Sequence, residues 1–153
     1  MNKTHEYHLT ISWIGNRGSG TSAYAAYSRD HIISAAGKSA NIAGSSDPSF
    51  CGDPQRYSPE ELLVAALSAC HMLWFLHLCA VSGIVVTEYA DDAAGTMVEH
   101  PDGSGEFTSV TLHPKVTLNN PGRNNELAHL HAKAHSLCFI ARSMNFPVQH
   151  DPR

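Results

Sequence analysis

The sequence contains few positive charges and no cluster of them. Lysine and arginine together number 10, against 14 acidic residues, and the formal net charge is -4 with histidine neutral. Binding to nucleic acid or to an anionic membrane surface depends on grouped cations that neutralise phosphates. The composition therefore predicts that neither is a partner. Charged residues make up only 16% of the chain, and so weakly charged a surface favours an oligomer.

The chain also lacks a CxxC motif, an internal repeat and a low-complexity segment. Residues 1–15 alternate polar and apolar side chains and contain no continuous apolar stretch of the kind that a secretory signal needs. We therefore expect a cytoplasmic protein with reduced thiols, in which a lasting disulfide would be catalytic. The length of 153 residues predicts a single domain, residues 1–153, that buries a core without a disulfide framework.

One apolar run, residues 62–81, is long enough to suggest a transmembrane helix. Ser68, His71 and His77 interrupt it, and no second apolar run or basic flank follows. A helix that is apolar on all sides also suits the centre of a soluble core or of a dimer. We interpret the run in this second way and expect no association with a membrane.

The residue patterns predict an α+β protein in which antiparallel strand pairing dominates. Apolar residues at period two are typical of strands, and Gly, Pro, Asn and Asp clusters separate the apolar segments. Strands are predicted at residues 5–13, 21–28, 31–35, 84–90, 95–99, 106–118 (broken or bulged at Pro114) and 146–149. Residues 35–57 are rich in Gly, Ser, Asp and Pro and predict a long loop with one short strand near 39–43.

Two long helices are predicted as well. Ser58 suits the N-cap of the first, Pro59 suits its first position, and Glu61 completes a capping box. Gly83 is expected to end this helix. An apolar stripe at helical spacing predicts the second helix over residues 124–143.

A cysteine lies in each predicted helix, Cys70 in the first and Cys138 in the second. Two thiols in a dry interior suggest a redox pair. A thiol that reduces hydroperoxides must attack the O–O bond as a thiolate, and a second thiol then traps the sulfenic acid as a disulfide. The alternative interpretation is that both cysteines are small apolar core residues.

A reactive Cys70 requires a nearby positive charge, because burial in an apolar helix raises the pKa of a thiol. Arg29 lies between two predicted apolar strands, so we expect its guanidinium to lie near the core and to be paired. Glu60 or Glu61 is the expected partner. Arg17 is the alternative cation.

The distance along the first helix indicates how such a site is assembled. Glu60 and Cys70 are ten residues apart, which is about 15 Å along a straight helix. One arginine does not span that gap. Two antiparallel copies of the helix would place Glu60 of one subunit beside Cys70 of the other, so the spacing predicts a site at a homodimer interface.

Three segments of the chain resemble the OsmC/Ohr family of thiol peroxidases. They are SPEELLVAALSAC at 58–70, AHSLC at 134–138 and YSRDHIISAAGK at 27–38. The resemblance extends over nearly the whole chain. It implies the OsmC-like fold, an intertwined α+β homodimer in which antiparallel sheets surround two long central helices. Two active sites then lie at the dimer interface.

The resemblance also implies a role for each candidate residue. Cys70 corresponds to the peroxidatic cysteine, Cys138 to the resolving cysteine, Arg29 to the arginine that stabilises the thiolate and Glu60 to the glutamate that orients this arginine. Members of the family reduce organic hydroperoxides without a cofactor, and thiols or dithiols reduce them again. The organic-hydroperoxide-resistance branch has Gly-Gly-Arg-Asp-Gly where this chain has Tyr-Ser-Arg-Asp-His, and Cys-Phe where it has Cys-His. These differences indicate a separate OsmC-like branch.

Two further hypotheses remain open at this stage. In one, an apolar cavity lined by residues such as Trp74 holds a lipid-like ligand, and the cysteines are inert. In the other, His131, His135 and Cys138, at positions i, i+4 and i+7 of a helix, bind a metal ion, with His71 as a further ligand. Without a metal, His135 is a candidate for modulating Cys138. The remaining thiols, Cys51 in a loop and Cys79 in the first helix, are expected to be bystanders.

Overall fold

Strands and helices follow one another in the order that an α+β protein shows, which confirms the predicted fold class. The computed structural model describes all residues from Met1 to Arg153. The chain divides into two units, Met1–Leu62 and Leu63–Arg153, which are described separately. The expectation of a single domain over residues 1–153 therefore stays a prediction.

The strands are β1 Thr10–Trp13, β2 His31–Ser34, β3 Ile42–Gly44, β4 Val86–Asp91, β5 Ala94–Glu99, β6 Gly105–Leu112, β7 Pro114–Leu118 and β8 Val148–His150.

The first unit contains a three-stranded antiparallel sheet in the order β1-β2-β3. The predicted strand at 31–35 and the short strand in the long loop are confirmed. The predicted strand at 21–28 is wrong, because this segment consists of turns and bends. Two of its carbonyl oxygens, those of Tyr24 and Tyr27, accept hydrogen bonds from the Arg29 guanidinium and therefore do not enter a strand ladder.

The first long helix, α1, covers Pro59–Val81, and both of its predicted ends are confirmed. The Ser58 backbone N–H donates to Glu61 Oε2 at 2.7 Å, and the Glu61 N–H donates to Ser58 Oγ at 3.2 Å. These two bonds are the capping box. At the other end Gly83 has φ +67°, and Ile84 N–H donates to the Cys79 carbonyl. Such a left-handed residue is what allows the chain to leave the helix.

Replacing Ser58 by alanine is expected to lower the free energy of unfolding by about 1 kcal/mol, because the Glu61 N–H loses its side-chain acceptor. Urea unfolding of Ser58→Ala against the parent chain measures the loss. Ser82→Ala is the matched control, since Ser82 lies just beyond the other end of α1 and its side chain makes no hydrogen bond. Equal losses in the two variants would contradict a capping role.

The second unit contains two separate sheets. One pairs β4 with β7, and the other has the order β5-β6-β8, in which β8 runs parallel to β6. The predicted strand at 106–118 is broken next to Pro114, as expected, and its two parts lie in different sheets. The chain changes sheets at His113, whose N–H donates to Asp91 Oδ1 at 2.6 Å. Pro114 follows directly and has no N–H with which to continue the first ladder.

The second helix is much shorter than predicted. Instead of spanning 124–143, α2 covers Leu127–Leu137, with short 3-10 helices at Pro121–Glu126 and Ala141–Ser143. Cys138 has φ -65° and ψ 110°, so it is extended and caps the helix instead of lying within it. The prediction of a helical Cys138 is thus wrong. An apolar stripe continues through such a break because 3-10 turns have nearly the same period.

Two apolar clusters form the core of the second unit, and α1 contributes to both. Phe75, which is fully buried, belongs to one cluster, and Leu67, 1% exposed, belongs to the other. Cys70 and His71 lie on the turn of α1 between them. By length and composition alone, α1 is also apolar enough to cross a membrane. Its buried side chains pack against strands and α2, as those of a core helix do.

Candidate redox site

The second unit brings Cys70 and Cys138 together. Cys70 is half-buried on α1, and Cys138 is 1% exposed at the end of α2. Cys70 contributes to the raised pKa of Cys138, so the two side chains are neighbours, and both cysteines are free thiols. The hypothesis of a redox pair required such neighbours, and the roles of the two thiols stay a prediction. A disulfide between them requires the sulfurs to approach to about 2.05 Å.

The surroundings of Cys138 keep this thiol protonated. Burial is the largest effect and the neighbouring Cys70 thiol is the next, and together they raise the pKa of Cys138 to about 11. The backbone N–H of Ala141, 3.5 Å from the Cys138 Sγ, acts in the opposite direction. Cys138 is therefore a protonated thiol near neutral pH.

Arg29 belongs to the first unit and is held by backbone oxygens. Its guanidinium donates to the carbonyls of Tyr27 and Tyr24, at 2.7 Å each, and lies 4.1 and 4.4 Å from the centres of their rings. Within one chain, the guanidinium forms no ion pair with Glu60 or Glu61. Glu61 is used in the capping box, and two carbonyls and two aromatic rings contact the guanidinium.

Sequence reasoning gave no role to Arg56, which precedes α1. Its Nε lies 3.7 Å from Asp30 Oδ2 and 3.5 Å from Asp53 Oδ2, and its buried Nη1 has no partner. Asp30 also accepts a hydrogen bond from Ser45 Oγ at 3.0 Å. Asp30 follows Arg29 directly, so this network fixes the chain beside Arg29. The only signal in the sequence was an arginine among acidic residues before the helix.

A row of four histidines lies in the second unit and was largely missed. His71 and His131 are each 1% exposed, and His71 Nε2 lies 3.0 Å from His131 Nδ1. Their rings differ in plane by only 4°. The His150 ring centre lies 5.5 Å from that of His71, and the His135 ring centre lies 5.2 Å from that of His150. Phe75 stacks on His131 at 3.9 Å.

Both buried histidines are held in the neutral form. Burial, followed by the fields of His150 and His135, lowers the pKa of His71 to about 4, although Asp91 opposes the shift. Burial, followed by the fields of His71 and His150, lowers the pKa of His131 to about 3. The bond between these two rings is therefore one between neutral imidazoles that share a single proton.

The metal hypothesis assumed one continuous helix through His131, His135 and Cys138. The helix ends at Leu137, and no group of three or more His, Cys, Asp or Glu side chains is arranged to hold a metal ion. His71 and His131 instead use one ring nitrogen each on the other. The arrangement favours hydrogen bonding among the histidines over a shared metal.

Further polar and aromatic side chains of the second unit, whose contacts the sequence did not predict, surround α1. Ser68 Oγ donates to Asp91 Oδ2 at 2.5 Å, which places a carboxylate on the strand beside α1. The buried Tyr89 hydroxyl has no partner, and burial followed by the field of Asp91 raises its pKa. Trp74 meets Phe139 edge to face at 5.5 Å. Phe139 follows Cys138, so an aromatic pair lies directly beside the thiols.

The fold and the two neighbouring free thiols define an α+β protein with a candidate two-cysteine redox site. A family model described as OsmC-like protein matches residues 52–152. The chain therefore belongs to the OsmC-like family, as its resemblance predicted. No curated protein matches the chain.

Solved structures give the same result for the fold. An OsmC-like protein of unknown function from Vibrio cholerae is 30% identical, with a TM-score of 0.86 over 98% of this chain and 100% of its own. An organic hydroperoxide resistance protein OsmC from Legionella pneumophila is 19% identical, with a TM-score of 0.67 over 97% of both chains. The organic hydroperoxide resistance protein OhrB of Bacillus subtilis is 15% identical, with a TM-score of 0.64 over 96% of this chain and 98% of its own. The likeness to the last two concerns the fold alone.

Proposed function

We propose that this chain is a thiol-dependent peroxidase that reduces organic hydroperoxides through Cys70 and Cys138. The observation that carries the proposal is that two free thiols, one on α1 and one at the end of α2, are neighbours in the fold. Proteins of the same fold from L. pneumophila and B. subtilis are organic hydroperoxide resistance proteins, and we extend that chemistry to this chain. The reaction needs no cofactor, because the sulfurs themselves carry the electrons.

The first step is attack by the Cys70 thiolate on the terminal oxygen of the hydroperoxide. An S–O bond forms, the O–O bond breaks, and the leaving alkoxide takes up a proton to become an alcohol. Cys70 is thereby oxidised to a sulfenic acid. The role suits Cys70 because its side chain is half-buried whereas Cys138 is only 1% exposed, so a hydroperoxide reaches Cys70 more easily.

The second step is condensation of Cys138 with the sulfenic acid. An S–S bond forms, the S–O bond breaks, and the Cys138 proton leaves with the hydroxyl group as water. An external thiol or dithiol then reduces the disulfide and returns both thiols. The raised pKa of Cys138 supports this order of events, since Cys138 remains a thiol until its partner is oxidised.

For Arg29 and Glu60 we propose the roles that family membership implies, namely stabilising the thiolate and orienting the guanidinium.

We also propose that the protein acts as a homodimer in the cytoplasm, without nucleic acid or membrane. Large apolar side chains in both units support a second copy, since Ile11 is 63% exposed, Leu73 64% and Val81 68%. Exposed apolar surface of this extent marks an interaction surface.

Mass spectrometry of the intact protein tests the proposal directly. After one equivalent of cumene hydroperoxide, we expect the mass to fall by that of two hydrogen atoms, with a peptide link between Cys70 and Cys138. Cys138→Ser is expected instead to gain one oxygen atom at Cys70. An unchanged mass in the parent chain would overturn the proposal and favour a ligand-binding protein with inert cysteines.

A further inference from the structure

Two residues of the histidine row are close to the thiols along the chain. His71 follows Cys70 on α1, and the His135 carbonyl accepts the Cys138 N–H at 3.3 Å. Inside the row, His71 and His131 share one hydrogen bond, and the buried His71 Nδ1 has no partner. A ring with one bonded and one unbonded nitrogen has a free position for a further proton donor or acceptor.

The other end of the row opens to solvent. His135 and His150 line an open pocket of about 400 Å³ in the second unit. The remaining lining residues come from β6, from β8 and from the position after β8, and they are Thr111, Val148, Gln149 and Asp151. His150 is half-buried, and its ring centre lies 5.5 Å from His71 and 6.3 Å from His131. The row therefore extends from the buried imidazole pair to water.

We propose that His71, His131, His150 and His135 form a proton relay between this pocket and the thiol pair. The inference rests on the proposed peroxidase function. An imidazole accepts a proton at one nitrogen and releases another from its second nitrogen. The 3.0 Å bond between His71 and His131 makes one such transfer immediate. The steps to His150 and His135, across 5.2–5.5 Å between ring centres, need one ring rotation or one bridging water.

The thiol cycle requires a proton to move in each direction. When the Cys70 thiolate breaks the O–O bond, the leaving alkoxide takes a proton and becomes the alcohol. When an external dithiol reduces the disulfide, Cys70 returns as a thiol and must release a proton to become a thiolate again. These two protons balance over one cycle, so the relay carries one proton inward and one outward and is unchanged at the end.

The relay conducts protons and does not store them. His71 is surrounded by His150, His135 and His131 and by the Asp91 carboxylate on β4, while His131 faces His71, His150 and Phe75. The lowered pKa of both buried rings means that neither carries a charge at neutral pH. Protons then pass through the row as each neutral imidazole changes from one tautomer to the other. A plot of the single-turnover rate against pH is therefore expected to show no inflection at an ordinary histidine pKa.

The experiment is chemical rescue of a variant that lacks one ring. His131→Ala is expected to slow single-turnover oxidation of Cys70 by cumene hydroperoxide by about 10²-fold, the usual contribution of a positioned proton carrier. Added imidazole fills the space that the ring leaves and is expected to restore the rate. Pyrrole has the same size but only an N–H and no acceptor nitrogen, so it is expected to restore thermal stability without restoring the rate.

His129→Ala is the matched control, since His129 is exposed on the same helix, and it is expected to keep the parent rate. If His131→Ala fails to fold, His150→Ala at the pocket replaces it with the same two additives. A parent-like rate in the variant, or equal rescue by imidazole and pyrrole, would overturn the relay. If the parent chain does not reduce cumene hydroperoxide, both the proposed function and the relay are overturned. This outcome is measured on the parent chain alone, so it is distinct from a result that overturns only the relay.

Discussion

Cys70→Ser is expected to abolish hydroperoxide reduction, with a fall in kcat/KM of about 10³-fold or more. Serine keeps the shape of the side chain, but its hydroxyl is not ionised at neutral pH and does not attack the O–O bond. The Cys138 thiol does not replace it, because burial, the largest cause of its raised pKa, remains in the variant and keeps Cys138 protonated. Steady-state consumption of cumene hydroperoxide with a dithiol reductant measures the effect.

Two further variants separate the roles of the thiols. Cys138→Ser is expected to use one equivalent of hydroperoxide to form the Cys70 sulfenic acid, which has no thiol to condense with. The variant then either stalls or uses a second equivalent to oxidise this group to the sulfinic acid. Cys51→Ser changes an exposed thiol outside the pair and is expected to keep parent turnover. Full activity in Cys70→Ser would show that the mechanism is wrong, whatever the other variants do.

The second large effect is loss of stability in mild acid. His71 and His131 are neutral when folded, with pKa values of about 4 and about 3, but they become charged in the unfolded chain near pH 6.5. The folded pKa values are depressed, so this stability is fully present above pH 6.5 and is lost as the pH falls toward 4 and then 3. For His71 alone the shift corresponds to about 3 kcal/mol of unfolding free energy.

Urea unfolding between about pH 7 and about pH 4.5 measures this dependence before most carboxylates titrate. The double variant His71→Leu/His131→Leu removes both partners of the buried bond and leaves neither ring unpaired. We expect its stability to change much less over this interval than that of the parent chain. His129→Leu is the control and should follow the parent curve, since His129 is exposed. The same pH dependence in the double variant and the parent would refute the assignment.

Local features of this fold could be predicted because the residues that form each of them are close in sequence. The capping box joins Ser58 to Glu61, and the helix end at Gly83 needs only the left-handed conformation of one residue. Neither depends on the rest of the chain. The positions of Cys51 in a loop and of Cys79 in the first helix were likewise predicted from local patterns, and Cys51 is exposed whereas Cys79 is buried.

Predictions failed where one contact or a change of backbone conformation outweighs the local pattern. Residues 21–28 have strand-like composition, but Arg29 occupies the carbonyls of Tyr24 and Tyr27. The helical stripe after α2 continues past residue 137, although the backbone becomes extended at Cys138. The break next to Pro114 was predicted, but the contact of Asp91 with the N–H of His113, more than twenty residues away, was not.

The sequence by itself determined that this is an α+β chain of the OsmC-like family, and it singled out the thiols at 70 and 138 as candidates. Apolar periodicity, helix caps and short motifs are properties of consecutive residues, so they are visible without coordinates. Only the tertiary structure decided that the two thiols are neighbours and that four histidines form a row in the same unit. Such contacts join residues about 60 positions apart, as His71 and His131 are, and packing alone brings them together.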